Sequence, residues 1–308
     1  MSFAFDTKRE LCQIADHNFA VQRAEGYGLL LFAKNFSEQK IVFSTENAFV
    51  ASRYMQILAE VWQTVTEKKT ALTRKKGSAR LFTVSEPDQR DCKKIFMDLG
   101  HGSTQLNLRI NRANLDEESA VAPFLRGVFL CCGTVTNPQK EYHLEFSMPY
   151  KNLCSDLCRL VSEVTELTKE PRIINRKGCF IAYIKDSEQI SDFLAFIGAP
   201  MAAMSIMQEK IYKDIRNTAN RKTNSEIANI HKTAQAAAFQ IKAIEKIAHA
   251  KGLDFLQDDL KEVALLRIAH PELSLRDLGK QLKMPISRSG VNHRIQRIME
   301  IAREIEEA

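Results

Sequence analysis

Between residues 274 and 299 the chain collects side chains that can read and neutralise a nucleic acid. Ser287, Arg288, Ser289, Asn292 and His293 crowd into a turn and a half if that segment is helical. Arginine presents paired donors to guanine, asparagine pairs with adenine, and serine bonds a base or a phosphate. Arg276, Lys280, Lys283, Arg294 and Arg297 surround this group and suit phosphate oxygens. The segment holds six Lys or Arg against one acid, Asp277. A small helical bundle with a solvated basic face is the plain alternative. The residue types favour double-stranded DNA as the partner.

The elements that must position these side chains are legible nearby. Residues 258–269 read as a first helix, with Asp258 or Asp259 near its start and His270-Pro271 at its end. Ser274 is a good N-cap, and Asp277 three residues on can bond back to it. Leu275, Leu278 and Leu282 then share one apolar face, and Gly279 sits where a second helix could pass closely. Residues 283–286 break this helix after about two turns. A new helix starts near Ser287 and turns Val291, Ile295 and Ile298 toward a core. Short helix, tight turn and longer helix make a helix-turn-helix, whose second helix enters the major groove N-terminus first.

A second basic stretch holds Lys210, Lys213, Arg216, Arg221 and Lys222, with Asn217, Asn220 and Asn224 between them. It reads either as a phosphate-tracking surface or as a solvated helix face with an Asn-rich turn. The whole of 201–250 reads as helix. Ile227, Ile230, Ala234, Ala237, Ile241, Ile244 and Ile247 form an apolar stripe expected to pack on a neighbouring domain or helix.

Upstream, residues 21–100 and 122–198 read as two degenerate copies of one unit. Each runs helix, two strands, helix, two strands, helix. A small-residue apolar helix opens each copy, around Gly28 and around Gly127. Strand segments at 40–43 and 142–146 follow, then amphipathic helices carrying Tyr54, Ile57, Leu58 and Val61 in one copy and Leu153, Leu157, Leu160 and Val161 in the other. A short helix ending in Gly100 or Gly198 closes each copy. Tandem duplication accounts for the pattern; chance likeness of two α/β stretches is the alternative.

The 308 residues carry 27% charged side chains and a net charge of +6, which suits a polyanionic partner without requiring one. Seven cysteines, several inside apolar runs, read as reduced thiols in a cytosolic protein. Cys154 and Cys158 could be joined only by His143 and Cys179, and no second pair completes a zinc spacing, so no metal is expected. No apolar stretch approaches the roughly 20 residues that span a bilayer. The N-terminus lacks a signal-peptide pattern. A cytoplasmic, nucleoid-associated location follows as the expectation.

At this point the chain resembles the WhiA family, regulators of sporulation and cell division found mainly in Gram-positive bacteria. The resemblance covers nearly the whole length. Its most specific stretches are 124–133 with 142–146; 216–221 with Asn224, Ala228, Asn229 and Lys232; and 274–279 with 287–294. The family pairs a LAGLIDADG homing-endonuclease-like domain with a C-terminal helix-turn-helix. In active LAGLIDADG nucleases the two motif helices end in acids that hold catalytic divalent metals. Setting Gly28 and Gly127 on the motif glycine puts Ala33 and Cys132 at those acid positions. Alanine offers no ligand atom, and a cysteine sulfur is a poor partner for Mg²⁺. Glu25 lies too early in its helix to substitute.

The expected fold is therefore α+β, a pseudo-symmetric duplicated LAGLIDADG-like domain over 1–200. A helical linker follows over 201–252, then an all-α helix-turn-helix domain over 253–308. The expected function is sequence-selective binding of double-stranded DNA to regulate transcription, without catalytic residues, cofactor or metal. The resemblance implies a part in division or chromosome organisation. Other regulatory proteins are conceivable partners, and two rival readings stand beside this one. In the first, the N-terminal domain binds a partner protein and only the tail touches DNA; the second is an active homing endonuclease.

Overall fold

The computed structural model describes residues 2–72, 80–102, 107–164 and 170–307. The chain divides into two compact units, Met1–Lys213 and Asp214–Ala308. Among the described residues, no helix is long and apolar enough to cross a membrane.

The first unit is built twice from the same order of elements. After α1 (Phe3–Cys12), the first half runs α2 (Phe19–Leu31), β1 (Asn35–Phe36), β2 (Ile41–Thr45), α3 (Ala48–Trp62), β3 (Glu67–Leu72), β4 (Arg80–Ser85) and α4 (Gln89–Asp98). The second half runs α5 (Glu118–Cys132), β5 (Gly133–Val135), β6 (Leu144–Met148), α6 (Lys151–Val164), β7 (Arg172–Arg176), β8 (Cys179–Ile184) and α7 (Ser187–Phe196). Each half forms one antiparallel sheet with corresponding order, β1-β2-β4-β3 and β5-β6-β8-β7. The registers correspond as well, with Phe43 opposite Val84 and Phe146 opposite Ala182.

Strand alternation decides what each sheet buries. Leu144, Phe146 and Met148 are buried while Glu145 and Ser147 point to the other face. In the first sheet Phe43 and Val84 face the core, and Ser44 and Thr83 meet on the opposite face at 3.4 Å. The outer strands β3 and β7 are exposed along their whole length.

The two halves join through α2 and α5. Asn18 caps α2 by accepting from the Ala20 N–H. Leu29, Leu30, Phe124, Val128 and Phe129 are all fully buried. The helices approach so closely because each carries glycine at the crossing. A Cβ at Gly28 would lie 2.2 Å from the Phe124 carbonyl oxygen, and one at Gly127 2.1 Å from that of Glu25. Glu25 itself is fully buried and accepts from Arg53 Nε at 2.9 Å and from Arg126 Nε at 3.0 Å.

The second unit has its own core. α9 (Asp258–Ala269), α10 (Leu275–Gln281) and α11 (Arg288–Glu307) pack on the last turns of α8 (Pro200–Lys251). Val263, Ala264, Leu278, Val291, Ile295 and Ile298 meet Ile244 and Ile247 there.

The 201–252 stretch is helical through Lys251, as α8: Ala202, Ala203 and Ile206 at its start are buried in the first core, and Ile244 and Ile247 at its end in the second. One expectation is corrected: the apolar stripe packs only in part. Ala237, Ile244 and Ile247 are buried, but Ile227 and Ile230 stand 48% and 67% exposed. They precede the turns of α8 that the α9–α11 cluster covers, so helical periodicity alone overstated the contact.

Candidate nucleic-acid interface

Helix α10 starts where its cap dictates. Ser274 Oγ accepts from the Asp277 N–H at 3.3 Å and donates to Asp277 Oδ2 at 2.7 Å. The turn is closed by the Ile286 N–H, which donates to the Gly279 carbonyl at 3.1 Å. A Cβ at Gly279 would lie 2.5 Å from the Ile286 carbonyl oxygen and 3.0 Å from Val291, so the second helix passes where the sequence suggested. Ser287 begins α11 by accepting from the Gly290 N–H, which makes this serine an N-cap.

With Val291, Ile295 and Ile298 turned inward, the opposite face of α11 is set. Arg288, Ser289, Asn292, His293 and Gln296 line one open cleft of about 540 Å³. Every one of them is exposed and none is a carboxylate. Gln296 was missed by sequence reasoning. Its spacing, four after Asn292 and three after His293, puts it on their face and could have revealed it.

The flanking cations divide into two groups. Arg276 and Lys283 are exposed and form no ion pair among the described residues. Lys280 is held by Asp277 at 2.8 Å and Arg297 by Glu300 at 2.9 Å. Arg294 is half-buried and reaches Asp259 at 3.3 Å, tying α11 to α9. Lys280 first, then Ser274, holds the Asp277 carboxyl below its ordinary value.

The second basic stretch is not one surface of one unit. Lys210 bonds Glu188, and Lys213 donates to the Pro138 carbonyl and lies 4.4 Å from the Tyr142 ring centre, all within the first unit. Arg216, Arg221 and Lys222 belong to the second unit and are exposed.

The motif-helix ends do not fit a catalytic metal. Ala33 is buried and has no ligand atom. Cys132 donates to the Val128 carbonyl at 3.5 Å, and burial pushes its thiol well above the ordinary range, away from the ligating thiolate. Glu25 has both oxygens engaged by arginines. Among the described residues, no cluster of His, Cys, Asp or Glu could hold a metal ion.

A duplicated α/β unit with glycine-crossed central helices, followed by a helix-turn-helix, defines a LAGLIDADG-like protein with a helix-turn-helix domain. Residues 121–216 match the "WhiA LAGLIDADG-like domain" and residues 219–302 the "WhiA C-terminal HTH domain". The chain is 34% identical over 317 residues to the "Probable cell division protein WhiA" of Thermoanaerobacter sp., covering 100% of this chain and 99% of that one. It is 35% identical over 322 residues to the protein of the same name in Clostridium botulinum, with the same coverage. The crystal structure of full-length WhiA from Thermatoga maritima aligns with a TM-score of 0.61 at 25% identity, covering 99% of both chains. The chain belongs to the WhiA family.

Proposed function

We propose that this protein is a DNA-binding transcriptional regulator that acts in cell division or chromosome organisation and has no nuclease activity. The observation that carries the reading is the cleft of Arg288, Ser289, Asn292, His293 and Gln296 on the first turns of α11. It gathers major-groove donors on the helix that a helix-turn-helix inserts. Arg276, Lys280, Lys283, Arg294 and Arg297 flank it and supply charge, and Ser287 caps the helix start. The relatives named as cell division proteins support the process.

The absence of cleavage follows from ligand chemistry. Phosphodiester hydrolysis by divalent metals needs anionic oxygens to hold the ions and activate water. Ala33 and Cys132 supply none, and Glu25 is committed to two guanidinium groups.

Two assays test the reading. Selection of duplexes from a random pool by the purified chain is expected to enrich one sequence motif. Incubation of that motif in a plasmid with excess Mg²⁺ or Mn²⁺ is expected to leave it intact. Cleavage abolished by Glu25→Gln in a variant that stays folded and still binds the motif would mean that a displaced carboxylate serves the metal.

A further inference from the structure

A cavity of about 380 Å³ lies in the second unit beside the start of α11. Four separate elements bring cations to it: Lys232 from α8, Arg267 from α9, Arg276 from α10 and Arg288 from α11. No carboxylate lines it.

Its deepest member is Arg267, only 1% exposed. The guanidinium donates to the Leu273 carbonyl at 2.7 Å through one terminal nitrogen. Its Nε–H has no hydrogen-bond partner among the described residues. Gln240 of α8 lines the same cavity at 8% exposure, with its side-chain carbonyl also unpartnered among the described residues. Burying this cation is unfavourable, and burial holds the Arg267 pKa below its ordinary value although Glu272 partly offsets it. An anion with several acceptor oxygens held in the cavity would offset the charge gathered there.

Arg288 lines this cavity and the base-reading cleft alike. An anion held here would therefore sit at the edge of that cleft, where a DNA strand must carry a phosphate. Lys232 and Gln240 lie well before α10 in sequence, outside the short-helix, turn and long-helix pattern.

We propose that this cavity is a phosphate-binding site in which Lys232, Arg267 and Arg276 hold a phosphate group of duplex DNA, with Arg288 at its edge toward the bases. The proposal rests on the DNA-binding reading of α11. A free phosphate anion has the same chemistry and is the other source of the group.

The test uses the full chain, a duplex that the wild type selects from a random pool, and two exposed-lysine variants of α8. Lys232→Met removes a cavity cation; Lys242→Met removes one outside it. Lys232→Met is expected to weaken DNA binding about tenfold and to lower the slope of log K against log salt by about one unit. Lys242→Met is expected to change both much less. Equal effects of the two variants, or none, would overturn the site. In a second arm, inorganic phosphate is compared with sodium chloride at equal ionic strength. Extra thermal stabilisation by phosphate that Lys232→Met abolishes assigns the cavity to free phosphate as well. No such excess, together with the loss in DNA binding, assigns it to the backbone alone. A wild-type chain that retains no duplex would defeat the DNA-binding reading itself, an outcome seen before any variant is made.

Discussion

Gly28 and Gly127 stand at the crossing of α2 and α5, each against the other helix's backbone with no room for a methyl group. The would-be Cβ atoms fall 2.2 and 2.1 Å from carbonyl oxygens, which no side-chain rotation can relieve. Alanine at either position forces the helices apart and opens the core shared by the two halves. Gly28→Ala or Gly127→Ala is expected to destabilise the first unit by about 1–3 kcal/mol or more. Denaturant unfolding measures it, and an unchanged midpoint would show that the crossing tolerates a wider spacing.

Glu25 links the halves by charge where the glycines link them by proximity. Its carboxylate is buried between Arg53 and Arg126. Glu25→Gln leaves two buried guanidinium groups uncompensated and should cost about 3–5 kcal/mol. Comparing the unfolding free energies of Glu25→Gln, Arg126→Met and the double variant isolates the coupling. Strict additivity would contradict a direct interaction.

Arg288 and Asn292 are expected to read bases. Replacing either with Ala should lose about 1–3 kcal/mol on the selected duplex and less on random DNA. Equal losses on both duplexes would reassign the residue to backbone contact.

Arg276 and Lys283 are the flanking cations without a carboxylate partner among the described residues, so a phosphate meets no competitor there. Each removal should lower the salt slope by about one unit. Lys280→Ala and Arg297→Ala should act more weakly, because Asp277 and Glu300 already hold those groups. Titrations across salt concentrations give the order, and a larger effect at Arg297 would contradict it.

Asp277 is expected to contribute an acid-sensitive interaction at the start of α10. Its folded pKa is depressed, first by Lys280 and then by Ser274. The stabilisation is therefore present above the ordinary carboxylate value and lost as pH falls through the depressed one. Asp277→Asn should lower stability at neutral pH and flatten the acid limb below about pH 4, so that the two proteins converge in acid. An acid limb identical in both proteins would place the sensitivity elsewhere.

Much of this was legible because it is local. The Ser274 cap, Gly279, the break at 283–286 and the spacing of Val291, Ile295 and Ile298 each depend on neighbours a few residues away. Helical periodicity converts that spacing directly into an inward and an outward face. The duplication was legible for the same reason, since two copies of one local pattern repeat element by element.

What lay beyond reach depends on residues far apart in the chain. Glu25 meets Arg126 only after two helices cross, and Lys232 and Arg267 come to line one cavity only after α8 packs with α9. Local pattern also could not tell that Ile227 is exposed while Ile244 is buried, because both satisfy the same period. Nor could it show that Arg294 spends its charge on Asp259 while Arg276 does not. The sequence by itself determined the elements, their faces and the chemistry available on each. The tertiary structure alone decided which charges are paired, which are buried and which remain for a ligand. Those outcomes depend on distance and desolvation, and both are set only when separate elements come together.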